Sequence, residues 1–344
     1  MRKMGLLSVA ILCLLSLNPV LAVTRGDGII QGRVVNGTAG GSSTEGLEVI
    51  LRVFHGQSEA EPLITTTDAQ GRFRFEGLDV NSDSVYLPQV SYWNVVYSTG
   101  LLTFEPGESE LLIEIPVYET TTDGEGIGVE RAHLLISFSD QRLLVTELHV
   151  FSNPGDRTYI GKEEVQGGRA TSRFLLPQGS YDLAFDDGSL GGRFLATEGG
   201  FADREPLWPG RTTVVFSYAL DCPGGNCSLI KDVTHSTSNL NVLIADIGAR
   251  VMSDRLSFEG KVEAQGQYYL NYVGHNLVPG ERLDLQVRLP QAGPAPVASR
   301  KSHRLTLPCI VFGGVVTVLV LAYPFWRQHV RASTLEESHT TTRS

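Results

Sequence analysis

The chain is short of cationic residues, with 28 lysines and arginines against 38 aspartates and glutamates in 344 residues and a formal net charge of −10. A nucleic-acid binder needs a basic face, so this balance argues against that class. Charged residues of both signs reach only 19%, below the roughly 25% usual for soluble domains. With 37 glycines, the composition fits turn-rich β structure together with some membrane-embedded chain. No convincing amphipathic helix lies between Gly28 and Pro290.

The motifs of catalysis are lacking too. Zinc peptidases need ligands spaced to meet one metal, yet neither His-Glu-x-x-His nor His-x-x-Glu occurs among His55, His133, His149, His235, His275, His303, His329 and His339. These read as single histidines, exposed or satisfied by a neighbour. Ser189 has Asp187 where a nucleophile elbow requires its first glycine. The Gly124–Gly128 run ends in Val129, which breaks the dinucleotide pattern, and no phosphate-binding loop is present. Asp186 and Asp187 are adjacent, so on a strand they would face opposite sides, and they read as a turn. Asp79, Asn81 and Asp83 alternate as calcium ligands do, but Ser84 and Val90 stand where the loop needs glycine and an acid. No residue is therefore assigned a catalytic, cofactor-binding or metal-binding role.

Both ends carry membrane signals. Arg2 and Lys3 precede an apolar stretch from Leu6 to Leu17, then Asn18-Pro19 and the small-residue site ending at Ala22, the order of a secretory signal peptide. From Leu305 to Trp326 the chain is uncharged and long enough to cross a bilayer as one helix. Basic residues flank that segment on both sides, so the N-terminal signal sets the orientation: the bulk is expected outside the cytoplasm and a short tail inside.

Cysteine is scarce, at four residues. Cys13 falls in the signal and Cys309 in the apolar segment, leaving Cys222 and Cys227 around Pro223-Gly224-Gly225-Asn226. In an oxidising compartment this pair is expected to close a disulfide that orders the loop. Their spacing differs from the Cys-x-x-Cys of redox motifs. Asn36-Gly37-Thr38 and Asn226-Cys227-Ser228 fit the N-glycosylation pattern.

Between the ends the pattern is β. Period-two alternation appears at Leu47–Val53, Gly71–Phe75, Leu111–Ile115, Leu143–Phe151, Thr213–Tyr218, Leu240–Ala245 and Leu283–Leu289, separated by turn residues such as Asn153-Pro154-Gly155. Pro106-Gly107, Pro209-Gly210 and Pro279-Gly280 each precede an apolar strand, which suggests repeated sandwich modules. The expected class is all-β, with tandem immunoglobulin-like or transthyretin-like sandwiches. The expected organisation is a signal peptide at 1–22, modules at 27–120, 131–221 and 222–290, a linker at 121–130, a stalk at 291–304, a transmembrane helix at 305–326 and a cytoplasmic tail at 327–344.

In the first module, Gly32-Arg33-Val34, Val49-Ile50-Leu51, Thr67-Asp68 and Gly71-Arg72-Phe73-Arg74-Phe75 with Leu78 follow one another. This order resembles the carboxypeptidase-regulatory-like, transthyretin-like domain over about residues 28–118. The resemblance implies an accessory β-sandwich without catalytic residues, in a scaffolding or binding role.

The expectation for function is a non-catalytic, single-pass membrane protein whose exported modules bind an envelope or membrane protein or scaffold an assembly. One alternative is a carbohydrate-binding or adhesion protein that stacks a glycan on Tyr92, Trp93, Tyr97 or Trp208. Another is an exported redox or metallocentre-assembly factor that uses Cys222 and Cys227.

Overall fold

The computed structural model describes residues 26–139, 141–165, 168–264 and 266–289. The expected signal peptide, stalk, transmembrane helix and tail lie outside the described residues. Among the described residues no helix is long and apolar enough to cross a membrane. Secondary structure there consists of strands and one short 3-10 turn. The chain divides into two compact units, one of residues 26–35, 43–91 and 96–116, the other of residues 36–42, 92–95 and 117–289.

The first unit is built on β1 (Gly28–Asn36), β2 (Glu48–His55), β3 (Ser58–Glu59), β4 (Leu63–Thr66), β5 (Arg72–Leu78), β6 (Ser84–Tyr92), β7 (Val95–Ser98) and β8 (Glu110–Val117). One sheet runs β5-β1-β8 and the other β3-β2-β6-β7, with β4 also paired to β2. The alternation read from sequence decides what is buried. Phe73 and Phe75 are inside while Arg72 and Arg74 are exposed, and Val49, Leu51 and Val53 line the inner face of β2. The turn before β5 needs its glycine. Gly71 has φ +76°, and a β-carbon there would lie 2.6 Å from the Val34 carbonyl oxygen. Asp68 closes that turn by accepting the backbone N–H groups of Gln70 (2.9 Å) and Arg72 (2.8 Å).

The second unit contains β9 (Thr120–Thr121), β10 (Gly128–Ser139), β11 (Arg142–Asn153), β12 (Thr158–Tyr159), β13 (Glu163–Val165), β14 (Gly168–Ala170), β15 (Ser172–Leu175), β16 (Tyr181–Phe185), β17 (Phe194–Thr197), β18 (Gly200–Asp203), β19 (Gly210–Asp221), β20 (Asn226–Asp232), β21 (Thr237–Ala245), β22 (Arg250–Met252), β23 (Ser257–Ala264), β24 (Gln267–Leu277) and β25 (Arg282–Arg288). Its main sheet has seven strands in the order β16-β19-β11-β10-β21-β24-β23. The centre of this sheet is a parallel pairing of β10 with β21, in which Leu134 faces Val242 and Ile136 faces Ile244.

That pairing differs from the expected boundary between residues 221 and 222. Residues 131–221 and 222–289 share one sheet and one continuous core. Two smaller sheets, β15-β18-β17 and β20-β25-β22, contribute Phe174, Phe194 and Phe201 and Leu229, Leu285 and Val287 to that core. Each Pro-Gly pair does lead into a strand, but into β8, β19 and β25, which belong to three different sheets. Alternation within a strand reports which face is buried; it carries no information about which strand lies alongside.

Candidate functional site

On β11 the inward positions read Leu143, Val145, Glu147, His149 and Phe151, so two ionisable side chains sit in an apolar row. Glu147 is fully buried. Its carboxylate accepts the Tyr218 hydroxyl (2.8 Å) from β19, pairs with Lys231 Nζ (2.9 Å) from β20, and contacts His149 Nε2 at 2.8 Å. Lys231 Nζ also donates to the Leu175 carbonyl at 3.2 Å and lies 5.8 Å from the centroid of the Phe216 ring. Three strands from two sheets thus converge on one carboxylate.

Burial alone would raise the pKa of Glu147, but the charge of Lys231 and the hydrogen bonds from His149 and Lys231 outweigh it and hold the value at about 2. Burial lowers His149 in turn, and only part of that is offset by Glu147. The neutral ring therefore donates Nε2–H to the carboxylate and leaves Nδ1 as a bare acceptor. Nδ1 is buried and has no hydrogen-bond partner among the described residues. Tyr218 is pushed well above its ordinary range by burial and by Glu147.

A cavity of about 30 Å³ lies beside this cluster, lined by His149, Lys231, Thr234 and His235 together with Val129 and Leu240. It has room for ordered water and is far below the roughly 300 Å³ where small-molecule pockets begin. His235 shares its Nδ1 with the Thr234 hydroxyl at 2.9 Å, and burial, with His149 and Lys231 nearby, depresses it to about 4. The arrangement holds a charge pair, a fixed imidazole tautomer and a small, partly open void against a sandwich core. Its chemical effect is to fix how the sheet containing β20 docks on the main sheet. Sequence reasoning treated His149 and His235 singly; the parity of Glu147 with Leu143, Val145 and Phe151 was the available signal.

Cys222 and Cys227 form a disulfide with Cα atoms 4.8 Å apart, across the 3-10 turn Pro223–Gly225. Gly224 and Gly225 both have positive φ, a succession suited to glycine. Both cysteines are buried in the core of the second unit. Thiol exchange requires access to a sulfur, so this burial suits a structural bridge.

The four aromatics considered as a stacking platform are not equivalent. Tyr92 and Tyr97 are buried, Trp208 is half-buried, and Trp93 is 52% exposed. Trp93 and Asn94 form the tip of the β6–β7 hairpin, with φ of +50° and +61°. The remaining motifs are local structure. Asp79 accepts Asn81 N–H (3.1 Å) and the Ser84 hydroxyl (3.2 Å) within its own turn, and Asp187 pairs with Arg193 at 3.1 Å. Asn36, of the first glycosylation pattern, donates to the Tyr92 hydroxyl and the Ser42 carbonyl, both at 3.0 Å. Among the described residues no three His, Cys, Asp or Glu side chains come together as a metal site.

No family model matches the chain, and no curated protein sequence matches it. Among solved structures it is similar to an M1 zinc metallopeptidase from Deinococcus radiodurans, at 15% identity and TM-score 0.30, over 48% of this chain and 43% of that one. It is also similar to the full-length RrgB pilus protein from Streptococcus pneumoniae, at 9% identity and TM-score 0.19, over 77% of this chain and 62% of that one. A tetra-tandem repeat from the extending region of a large adhesion protein aligns at 8% identity and TM-score 0.13, over 76% of this chain and 66% of that one. The chain thus spans less than two thirds of each of these proteins, and likenesses this distant carry no functional argument.

Proposed function

We propose that this chain is a non-catalytic, single-pass membrane protein whose β-rich units stand outside the cytoplasm and bind another protein or scaffold an envelope assembly. In this reading, Ala22 ends the exported leader, Leu305–Trp326 anchors the chain, and residues 28–118 form a carboxypeptidase-regulatory-like sandwich. The observation that carries it is where the polar chemistry sits. Glu147 is paired with His149 and Lys231 inside the core of the second unit beside a water-sized void, while a large aromatic, Trp93, stands in solvent. The closed disulfide suits the oxidising compartment that the reading requires.

The test is brief cross-linking in native membranes, purification of the full-length protein in mild detergent and mass spectrometry of what accompanies it. A stoichiometric membrane or exported partner supports the proposal, and recovery of the protein alone counts against it. Trp93 favours glycan binding as a second reading, because a solvent-facing indole stacks on sugar rings. A glycan array without hits would remove it.

A further inference from the structure

The free edge of the three-stranded sheet in the first unit has an unusual combination of features. β8 is the terminal strand in the order β5-β1-β8. The Ser109 carbonyl accepts Ile29 N–H at 2.8 Å and the Val117 carbonyl accepts Gly37 N–H at 2.9 Å. The Ile113 carbonyl oxygen also lies against Gly32 of β1. Odd-numbered residues therefore direct their backbone groups at β1, and Glu110, Leu112 and Glu114 direct theirs away from it. Pro116 shares the outward parity, where its missing N–H costs no ladder bond.

Side chains follow the same alternation. Ile115 and Val117 are buried, whereas Glu110, Leu112 and Glu114 are exposed, Leu112 to 80%. On the outer face Arg74 of β5 donates to Gln31 of β1, and Gln31 donates to Glu110 of β8, so the row ends in a carboxylate at the open edge. Edge strands are commonly blunted by bulges, by charged side chains, lysine above all, or by proline. β23, at the edge of the main sheet of the second unit, has a bulge and a lysine: its register shifts between Phe258 and Gly260, and it carries Lys261. β8 carries no lysine along Glu110–Ile115; its charges there are two glutamates, and Pro116 follows them.

We infer that the free edge of β8 is a strand-addition site for an extended partner segment that places an apolar side chain opposite Leu112 and basic side chains opposite Glu110 and Glu114. The inference rests on the protein-binding reading above and names the chemistry of the partner. A second copy of this chain does not fit. Antiparallel pairing about Leu112 sets Glu110 against Glu114 of the other copy, parallel pairing sets each glutamate against itself, and facing like charges destabilise a ladder. A basic-apolar strand completes both the hydrogen-bond ladder and the charge row.

The probes are two synthetic twelve-residue peptides, Lys-Thr-Val-Thr repeated three times (the Lys-Val peptide) and Glu-Thr-Val-Thr repeated three times (the Glu-Val peptide), whose every second residue alternates Lys or Glu with Val on one face of a strand, titrated against the full-length protein by fluorescence anisotropy. The Lys-Val peptide is expected to bind and the Glu-Val peptide to fail. Leu112→Pro removes an outward N–H without touching the β1 ladder and is expected to weaken Lys-Val binding at least tenfold. Glu110→Lys with Glu114→Lys leaves the backbone unchanged and is expected to reverse the preference between the peptides, a result that does not depend on the proline variant folding. Failure of the Lys-Val peptide to bind overturns the site, as does equal binding by wild type and both variants. Undiminished capture of a native cross-linked partner by Leu112→Pro overturns the edge assignment and leaves the protein-binding reading standing. A wild-type chain that binds the Lys-Val peptide and captures no native partner overturns that reading and leaves the edge.

Discussion

Lys231 and Glu147 meet at 2.9 Å inside the core of the second unit, with side-chain exposures of 8% and 0%. Their strands, β20 and β11, belong to different sheets, so the pair ties one layer to the other. Breaking such a pair leaves a buried charge uncompensated, at a cost of about 3–5 kcal/mol. Lys231→Met is expected to destabilise the protein by that amount in urea denaturation. Adding Glu147→Leu should recover much of the loss, because the double variant buries no orphaned charge. A double variant less stable than either single one would show that the hydrogen bonds to Tyr218 and His149 matter more than the charge balance.

Acid should loosen the same core. His235 titrates at about 4 in the folded chain, against an ordinary value near 6.5. A group with a depressed folded pKa leaves the unfolded state binding more protons, so stability falls as pH drops from 6.5 towards 4. A shift of this size corresponds to on the order of 3 kcal/mol once complete. His149 acts in the same direction. Glu147 adds a second loss as pH falls from about 4.5 towards its folded value of about 2. Lys231, Tyr218, Asp232 and His133 are the other ionisable groups around this cluster, and burial holds His133 at about 4 as well, so it adds to the loss in the same pH window. Urea midpoints measured between pH 7.5 and 4.5 should decline, and His235→Gln should flatten the upper part of the decline. A midpoint independent of pH would refute the burial argument.

Much of the all-β architecture was legible because alternation and burial share one cause. Phe73 and Phe75 point inward, and Arg72 and Arg74 outward, from a pattern visible in five residues. The parallel contact of β10 with β21 was not legible, since it joins segments more than a hundred residues apart whose patterns would suit many neighbours. The polar cluster has the same origin. Glu147 was visible on an apolar face, but its partners Tyr218 and Lys231 come from strands whose placement only tertiary structure defines. Trp93 illustrates the opposite case: its aromatic character drew attention along with Tyr92 and Tyr97, and only burial separated them.

The disulfide is expected to act locally. Its loop is short, with a sequence separation of 5, and chain-entropy reasoning assigns such a bridge about 2 kcal/mol. Replacing both Cys222 and Cys227 with serine should lower stability by roughly that amount and increase amide exchange in residues 222–227. Because both cysteines are buried, the bond in the native protein should resist dilute dithiothreitol and become reducible in urea. Rapid reduction under native conditions would revive the redox reading.

Trp93 offers a test in which stability and binding move in opposite directions. Its φ of +50° places a bulky side chain in the left-handed region, where asparagine and glycine are far better tolerated, and Asn94 beside it also has positive φ. The indole gains little burial in return, being 52% exposed. Trp93→Gly is therefore expected to stabilise the protein by about 0.5–1 kcal/mol despite the loss of a large side chain, seen as a higher urea midpoint. If the ring recognises a glycan or a protein, the same variant should lose that binding. A stabilised variant with binding intact would assign the strain to the hairpin alone, whereas a destabilised one would show that the indole packs more than its exposure implies.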